Sequence, residues 1–463
     1  MNSIPGNHDQ PISAQVSLFG IAAVVTAILI SIAIVQQNVL ALAAIGAVAL
    51  AIVWPVEGAL GVFAVLVPFD QVLVLGKSET TITWVAGAFA AATLVIYGLV
   101  SGRFKSPPRA GLYWGLFVLW TAASTVWAID PAASLKWLPT VATLSALYIV
   151  ATSLRVARRE LSRSVLFVIA GGAVAASLII FQFANHISWV GGTGRPEGRA
   201  SLVIGNLQSN PNDLGFSLLL PFSLALGGVL SPGGRLKRTA LLTAFALMTI
   251  SMFLTMSRGS LIALCVVVLV YLFRVGISRR ILIPVLVLAI ALFFLPKLFY
   301  QRLEESPVNR GTGRYDIWLV GLEIVKHYPV IGVGLANFSV AYRSFAGYAH
   351  VFPSHGYAHD AHNMYLQVCA ETGVIGFALF LVAIWAQMKA VHPVLLTRGS
   401  YEYLGVAIEA GCWGQLAAGL SGNIQWNKPF WFAFILLALM TQRRDESESN
   451  GLRLAWGSPN LPA

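Results

Sequence analysis

Long apolar runs follow one another along most of this chain, broken by short polar stretches. A membrane-crossing helix needs about 20 mainly apolar residues, within a range of roughly 17–25. By that measure the runs at 16–35, 39–54, 58–75, 82–100, 110–128, 135–153, 164–183, 212–230, 239–256, 259–275, 281–299, 366–388, 403–421 and 428–441 are candidate spans. Segments 39–54 and 428–441 are short, and 58–75 contains Pro68 and Asp70, so the pattern predicts about twelve to fourteen spans. The expected fold is all-α, a polytopic transmembrane helix bundle whose backbone polar groups are satisfied within helices.

One stretch departs from this pattern. Between 300 and 365 the chain predicts a long loop outside the membrane that contains amphipathic helices. Gly313–Tyr328 has helical periodicity: Trp318, Leu322 and Val325 share one face, and Arg314, Glu323 and Lys326 are polar. Pro329 should stop this helix, with Gly332 and Gly334 as turn residues after it. A second helix should begin near Ala361 and run into the next span. The resulting organisation is an N-terminal tail (1–15), a membrane domain (16–299), a loop holding the reactive residues (300–365), C-terminal spans (366–441) and a polar tail (442–463). The tail reads as disordered. Val16–Val35 is too long for the apolar core of a signal peptide and follows a polar stretch, so no cleavable signal is expected. No internal repeat is evident.

Composition agrees with this pattern. Of 463 residues, 57% are hydrophobic and 11% charged, against about 25% charged in soluble domains. A net charge of +11 would suggest nucleic acid in a soluble protein. Here the basic residues fall mainly in short loops, which is a topology signal. Arg103, Lys105 and Arg109 form one cluster, and Arg155, Arg158, Arg159 and Arg163 another. Arg235, Lys237 and Arg238 follow, then Arg274, Arg279 and Arg280, then Lys389 and Arg398, and finally Arg443 and Arg444. With fourteen spans all of them lie on one side, the cytoplasmic one, with both termini. The opposite, periplasmic side receives 184–211, the Ser257–Arg258 turn and the loop 300–365. The partners this implies are a lipid bilayer and no nucleic acid. Cys265, Cys369 and Cys412 lie in or beside apolar runs without metal-ligand spacing, and read as small hydrophobes.

Several outer-side residues could carry chemistry. Arg258 sits between two spans with almost no loop, where an ionisable side chain marks a functional site or snorkels to the headgroups. Arg199 follows a Gly- and Pro-containing stretch and reads as an anion ligand or as surface charge. Asn212 and Asp213 open the next helix, where a capping role competes with a binding one. Arg314 opens the amphipathic helix, where the dipole also favours an anion; the alternatives are solvation or pairing with Asp316. His350, His355, His359 and His362 crowd one segment. Zinc is conceivable there, but no cysteine joins them, and no metal site is assigned. His362 is the candidate general base or substrate-orienting group, because imidazole titrates near neutral pH. Glu371, near the start of a span, should be paired with an outer-side arginine. Three arginines and a histidine on one side suit a phosphorylated, membrane-held substrate. No Walker motif, zinc-protease helix or nucleophile elbow is present.

The order of several short motifs resembles the O-antigen ligase and O-antigen polymerase superfamily. The resembling pieces are Asn210-Pro-Asn212, Ser257-Arg-Gly259, Arg314 with Trp318, His327-Tyr-Pro-Val-Ile-Gly-Val-Gly334 with Asn337-Phe338, and His362-Asn-Met-Tyr-Leu-Gln367 with Glu371-Thr-Gly373. They cover residues 195–380. The resemblance implies a glycosyltransferase of the bacterial inner membrane whose site faces the periplasm. Its donor would be a glycan linked to undecaprenyl diphosphate, and its acceptor lipid A–core or the end of another glycan chain. By motif position, Arg258 and Arg314 would hold the diphosphate together with Arg199, and His362 would be the catalytic histidine. Such enzymes use no nucleotide sugar, and no cofactor is expected. Two other functions fit parts of the pattern, a protein O-oligosaccharyltransferase and a membrane transporter of a small anion. A transporter should show inverted repeats and broken helices at the midplane, and neither is evident.

Overall fold

The computed structural model describes residues 39–75, 81–187, 198–276, 282–293, 313–351, 359–391 and 401–455. The helices within them are α1 (Val39–Val53), α2 (Pro55–Leu66), α3 (Ile82–Ser101), α4 (Arg109–Ala123), α5 (Pro131–Thr152) and α6 (Arg158–Ala184). A two-residue hairpin follows, with β1 (Val203–Ile204) antiparallel to β2 (Leu207–Gln208). Then come α7 (Pro211–Leu230), α8 (Arg235–Leu254), α9 (Arg258–Val275) and α10 (Leu282–Phe293). The chain continues through α11 (Arg314–His327), α12 (Phe338–Phe345), α13 (Met364–Lys389), α14 (Tyr401–Ala418) and α15 (Lys428–Ala455). Among the described residues, the seven helices α3, α5, α6, α7, α8, α9 and α13 are long and apolar enough to cross a membrane, and shorter apolar helices accompany them. The expected all-α polytopic bundle is the observed class. The run 16–35 and residue His355 lie outside the described residues.

The apolar run at 58–75 does not form one straight span. Pro68 has no backbone N–H to continue a helix. The chain tightens there into a 3₁₀ turn at Val67–Phe69 and leaves the helix at Asp70. Asp70 then accepts a hydrogen bond from the Thr83 hydroxyl and pairs with Lys428 Nζ at 2.8 Å, joining this turn to the starts of α3 and α15.

Helix α7 forms the centre. Its sequence is apolar on every face, which suits a helix surrounded by protein, and nearly all its residues are buried. It packs against α6, α8, α9 and α14. The outer helices leave large apolar side chains exposed, among them Leu99 at 71%, Leu119 at 67% and Phe273 at 86%. Exposed apolar belts on helices of this length match hydrocarbon rather than water. Inside the bundle, polar contacts tie helices together. Gln387 Oε1 accepts from Trp114 Nε1 at 2.9 Å and Tyr148 OH at 2.7 Å, while its Nε2 donates to Phe434 O at 2.9 Å. One side chain thus joins α4, α5, α13 and α15.

The bundle has two chemically different ends. At one end Arg103 pairs with Glu160, Arg163 with Glu57, and Arg274 with Glu409 through two bonds of 3.0 and 2.6 Å. This is the end of the basic loops. At the other end α3, α5, α7, α9 and α13 begin on Thr81, Asp130, Asn210, Ser257 and Asn363, each accepting from an orphan N–H of its own first turn. Neither Asn212 nor Asp213 caps α7; Asn210 does, through a 2.9 Å bond from Asn212 N.

The described part of the 300–365 segment sits on this second end. Helix α11 runs over Arg314–His327, and its buried face is Ile317, Val320, Gly321 and Ile324. That face is rotated from the expected Trp318–Leu322–Val325 stripe, and Leu322 is 49% exposed. The rotation follows from what covers the helix. Val333, Phe338, Ala341, Tyr342 and Phe345 pack against it and form a small core of their own with Ala361 and Ala370.

Candidate functional site

The arginine between the two central spans is fixed by its neighbours. Helix α8 ends at Leu254, Met256 turns the chain with φ 48°, and Ser257 caps α9 by accepting from Ser260 N at 3.3 Å. Arg258 is therefore the first residue of α9 and half-buried. The glycine after it is required by close packing, because a Cβ on Gly259 would collide with Ser421 Oγ. Arg199 braces the same turn from outside. Its Nε donates to Thr255 O at 2.9 Å and its Nη2 to Asn212 Oδ1 at 2.7 Å.

Arg314 is likewise the first residue of its helix, following Gly313 at φ 81°. The helix dipole disfavours a cation at that position. Burial and the charge of Arg258 both destabilise its protonated form and lower its pKa. The protein has thus brought two guanidinium groups and two helix N-termini near one another. An anion suits such an arrangement.

His362 borders the same space. Its pKa is lowered from the usual histidine value, first by burial, then by Arg314 and, to a smaller degree, His359; Asp360 opposes the shift. The imidazole is therefore neutral at neutral pH, with a lone pair available to take a proton. Its backbone lies in the left-handed region at φ 47°, a conformation that costs about 1–3 kcal/mol for a residue other than glycine and persists only where the surroundings impose it. Those surroundings are identifiable. Trp318 Nε1 donates to Ala361 O at 3.0 Å, Ala361 N to Gln367 Oε1 at 2.9 Å, Asn363 N to Asn423 Oδ1 at 3.0 Å, and Met364 N to Gly419 O at 2.7 Å. Four bonds from three elements hold the residues on either side of the histidine.

The other histidines stand differently. His350 is exposed, and His359 packs edge-on against Tyr342 with ring centroids 5.2 Å apart. Among the described residues no group of His, Cys, Asp and Glu is arranged to hold a metal.

The glycine-rich stretch after α11 supports this wall. Val333 N donates to Ala370 O at 3.0 Å, Gly334 N to Glu371 O at 2.8 Å and Val374 N to Pro329 O at 2.8 Å. The turn-rich 329–334 segment therefore lies along α13 where that helix kinks at Gly373, whose φ of 65° frees its carbonyl neighbours for these bonds. Glu371 is buried here, accepting from Gln367 Nε2 at 2.6 Å and from Phe338 N at 3.4 Å. The expected arginine partner is replaced by an amide and a backbone N–H, because α12 and the 335–338 turn cover this face of α13.

Beside His362 opens a cavity of about 270 Å³. Ser339, Asp360, Gln367, Glu371, Asn423, Gln425 and Asn427 supply its polar lining, and Trp137 and Trp426 its aromatic one. A smaller cavity of about 40 Å³ shares Asn427 and is lined by Asp70, Gln71 and Asp213, with Gln71 Nε2 donating to Asp213 Oδ2 at 2.7 Å. Asn423, Gln425, Asn427, Trp137 and Gln71 were not legible as site residues. Their signal in the sequence is only a polar or aromatic residue at the edge of an apolar run.

Residues 243–381 match a family model described as O-antigen ligase. That segment belongs to the O-antigen ligase and polymerase superfamily. It holds Arg258, Arg314, His362 and Glu371, while Arg199, Trp137 and the 423–427 turn lie outside it. With the apolar helices, this is a multi-pass membrane protein that is similar to the O-antigen ligase family over that segment. A search of curated proteins finds no match.

Proposed function

We propose that this protein transfers a glycan from undecaprenyl diphosphate to a sugar hydroxyl, with its site at the periplasmic face of the inner membrane. The observation that carries the reading is the meeting of Arg258, Arg314 and His362: two cations at helix N-termini beside a neutral imidazole. A diphosphate suits the first pair, because guanidinium groups donate in pairs to phosphate oxygens. A neutral imidazole suits the incoming hydroxyl. The acceptor oxygen attacks the anomeric carbon and forms the new glycosidic bond as its proton passes to His362. The bond from the anomeric carbon to the diphosphate oxygen breaks, and undecaprenyl diphosphate leaves with the electron pair. Arg258 and Arg314 hold the charge that develops on that oxygen. Arg199, with two donors committed to Thr255 and Asn212, acts as a positioning residue for the Arg258 turn.

The family match supports glycosyl transfer of the ligase or polymerase kind. The positive-inside rule supports the periplasmic face, since the basic loops lie at the opposite end. The acceptor is lipid A–core for a ligase and a lipid-linked glycan for a polymerase. The experiment is reconstitution of the purified full-length protein with undecaprenyl diphosphate-linked glycan and each acceptor in turn. Glycan appearing on an acceptor, with free undecaprenyl diphosphate released, is the expected result. No transfer to either, with anion uptake into proteoliposomes, would replace this reading by transport.

A further inference from the structure

The cavity beside His362 differs in charge from the arginine side of the site. Asp360 lines it with an exposed carboxylate, the buried Glu371 already accepts from Gln367 Nε2 and Phe338 N, and among the described residues no lysine, arginine or histidine lines it. A diphosphate has no reason to enter such a space. Its remaining polar lining is four amides and the Ser339 hydroxyl, groups that donate and accept at once, as sugar hydroxyl groups also do. Gln425 is 5% exposed, and its Oε1 has no hydrogen-bond partner among the described residues. Asn423 accepts from Asn363 N through its Oδ1 at 3.0 Å, and Asp360 and Asn427 complete the polar wall. Buried polar groups are normally satisfied, so the Gln425 carbonyl oxygen points to a hydroxyl-bearing occupant. Trp426 is stacked on Phe117 and Trp431 within the core. Trp137 instead lines the cavity while 44% exposed, leaving apolar surface of the kind on which the C–H face of a sugar ring rests. A volume of about 270 Å³ is enough for one sugar unit and displaced water.

We propose that this cavity is the sugar subsite, and that it takes an uncharged, hydroxyl-rich ring and rejects one bearing a carboxylate or phosphate. The negative charge of Asp360 opposes a uronic acid, while the arginines across the site draw the diphosphate away from the cavity. The subsite would select the ring next to the bond that forms or breaks. It rests on the glycan-transfer reading for that linkage but not for the binding preference, so the two fail separately.

The test is saturation-transfer NMR on the full-length protein in detergent micelles, with methyl β-glucoside, methyl N-acetylglucosaminide and methyl glucuronide as probes. Saturation should reach the two neutral glycosides at least fivefold more strongly than the glucuronide. It should fall severalfold in Trp137→Ala and Asn423→Ala variants whose thermal melting is unchanged. Undecaprenyl diphosphate glucose then distinguishes the sources of the sugar. Loss of the glycoside signal, with undecaprenyl diphosphate alone having no effect, assigns the cavity to the donor ring; persistence assigns it to the acceptor. Equal saturation of all three probes, preference for the glucuronide, or signals indifferent to both substitutions would overturn the proposal. If neutral sugars bind as described but no glycan is transferred, the transfer reading falls and the subsite stands.

Discussion

The charge of Arg314 acts directly on His362, lowering the proton affinity of a half-buried imidazole that burial already holds neutral. A base must be unprotonated before it can act, and in the proposed mechanism the cation assigned to the diphosphate helps to keep it so. When a diphosphate neutralises that cation, the imidazole becomes more basic as the acceptor proton arrives.

This coupling predicts a pH signature. The protonated imidazole is inactive as a base, so kcat/KM should fall as pH drops through the pKa of His362 in the free enzyme. That midpoint should lie below the usual 6.5, because burial and Arg314 both disfavour the charged form. Removing the cation in Arg314→Gln should move the midpoint upward. A midpoint that stays put, or moves down, would show that the acid limb belongs to another group.

Arg258→Lys should lose activity while the protein still inserts. Lysine keeps the charge but lacks the planar pair of donors. A charge-assisted hydrogen bond is worth roughly 1.5–3 kcal/mol, which is about a ten- to hundredfold loss. Steady-state transfer against donor concentration reads this, and wild-type kinetics would mean that Arg258 only reaches for headgroups.

Gly373→Ala should lower the thermal midpoint in detergent. The new Cβ would meet the Val330 carbonyl and occupy a left-handed conformation, the latter alone costing about 1–2 kcal/mol. Gly115→Ala is the control: it lies inside α4 with nothing within 4 Å of its Cβ, so its midpoint should hold or rise slightly. Equal midpoints for the two variants would contradict the docking of the 329–334 chain on the kink.

Much of this architecture was legible because hydrophobic length is a strong signal in a membrane protein. The helix at Arg314–His327, its stop before Pro329 and the placement of Arg258 between α8 and α9 follow from local chemistry. The face of α11 did not, because the rotation is set by Phe338, Tyr342 and Phe345, which come from a helix with no long apolar run. Glu371 was misjudged for a related reason: its partners are an amide on its own helix and a backbone N–H that only the folded turn delivers. Arg258 stands out in the sequence by its isolation between apolar runs, Arg199 by the Gly- and Pro-containing stretch before it, and Arg314 by its place at a helix start. Gln71, Trp137 and Asn423 were not, because they join the site only through tertiary packing at the ends of separate helices.

Orientation follows from the two ends of the bundle. A reporter inserted in the Ser231–Gly234 loop, beside Arg235, should read cytoplasmic, and one at Gly347 periplasmic. A cytoplasmic reading at Gly347 would put Arg314 and His362 on the wrong side of the membrane for a periplasmic transfer.

The most direct measurement of the central claim is glycan transfer by His362→Ala beside its binding of the donor. General-base help is typically worth about 10²–10⁴-fold in rate, while the proposed mechanism assigns the diphosphate to Arg258 and Arg314. Purified His362→Ala should therefore bind undecaprenyl diphosphate-linked glycan with affinity close to wild type and transfer it at least a hundredfold more slowly, while His350→Ala, altering an exposed side chain, transfers normally. Transfer by His362→Ala at the wild-type rate would contradict the account, leaving an anion-binding site with no base.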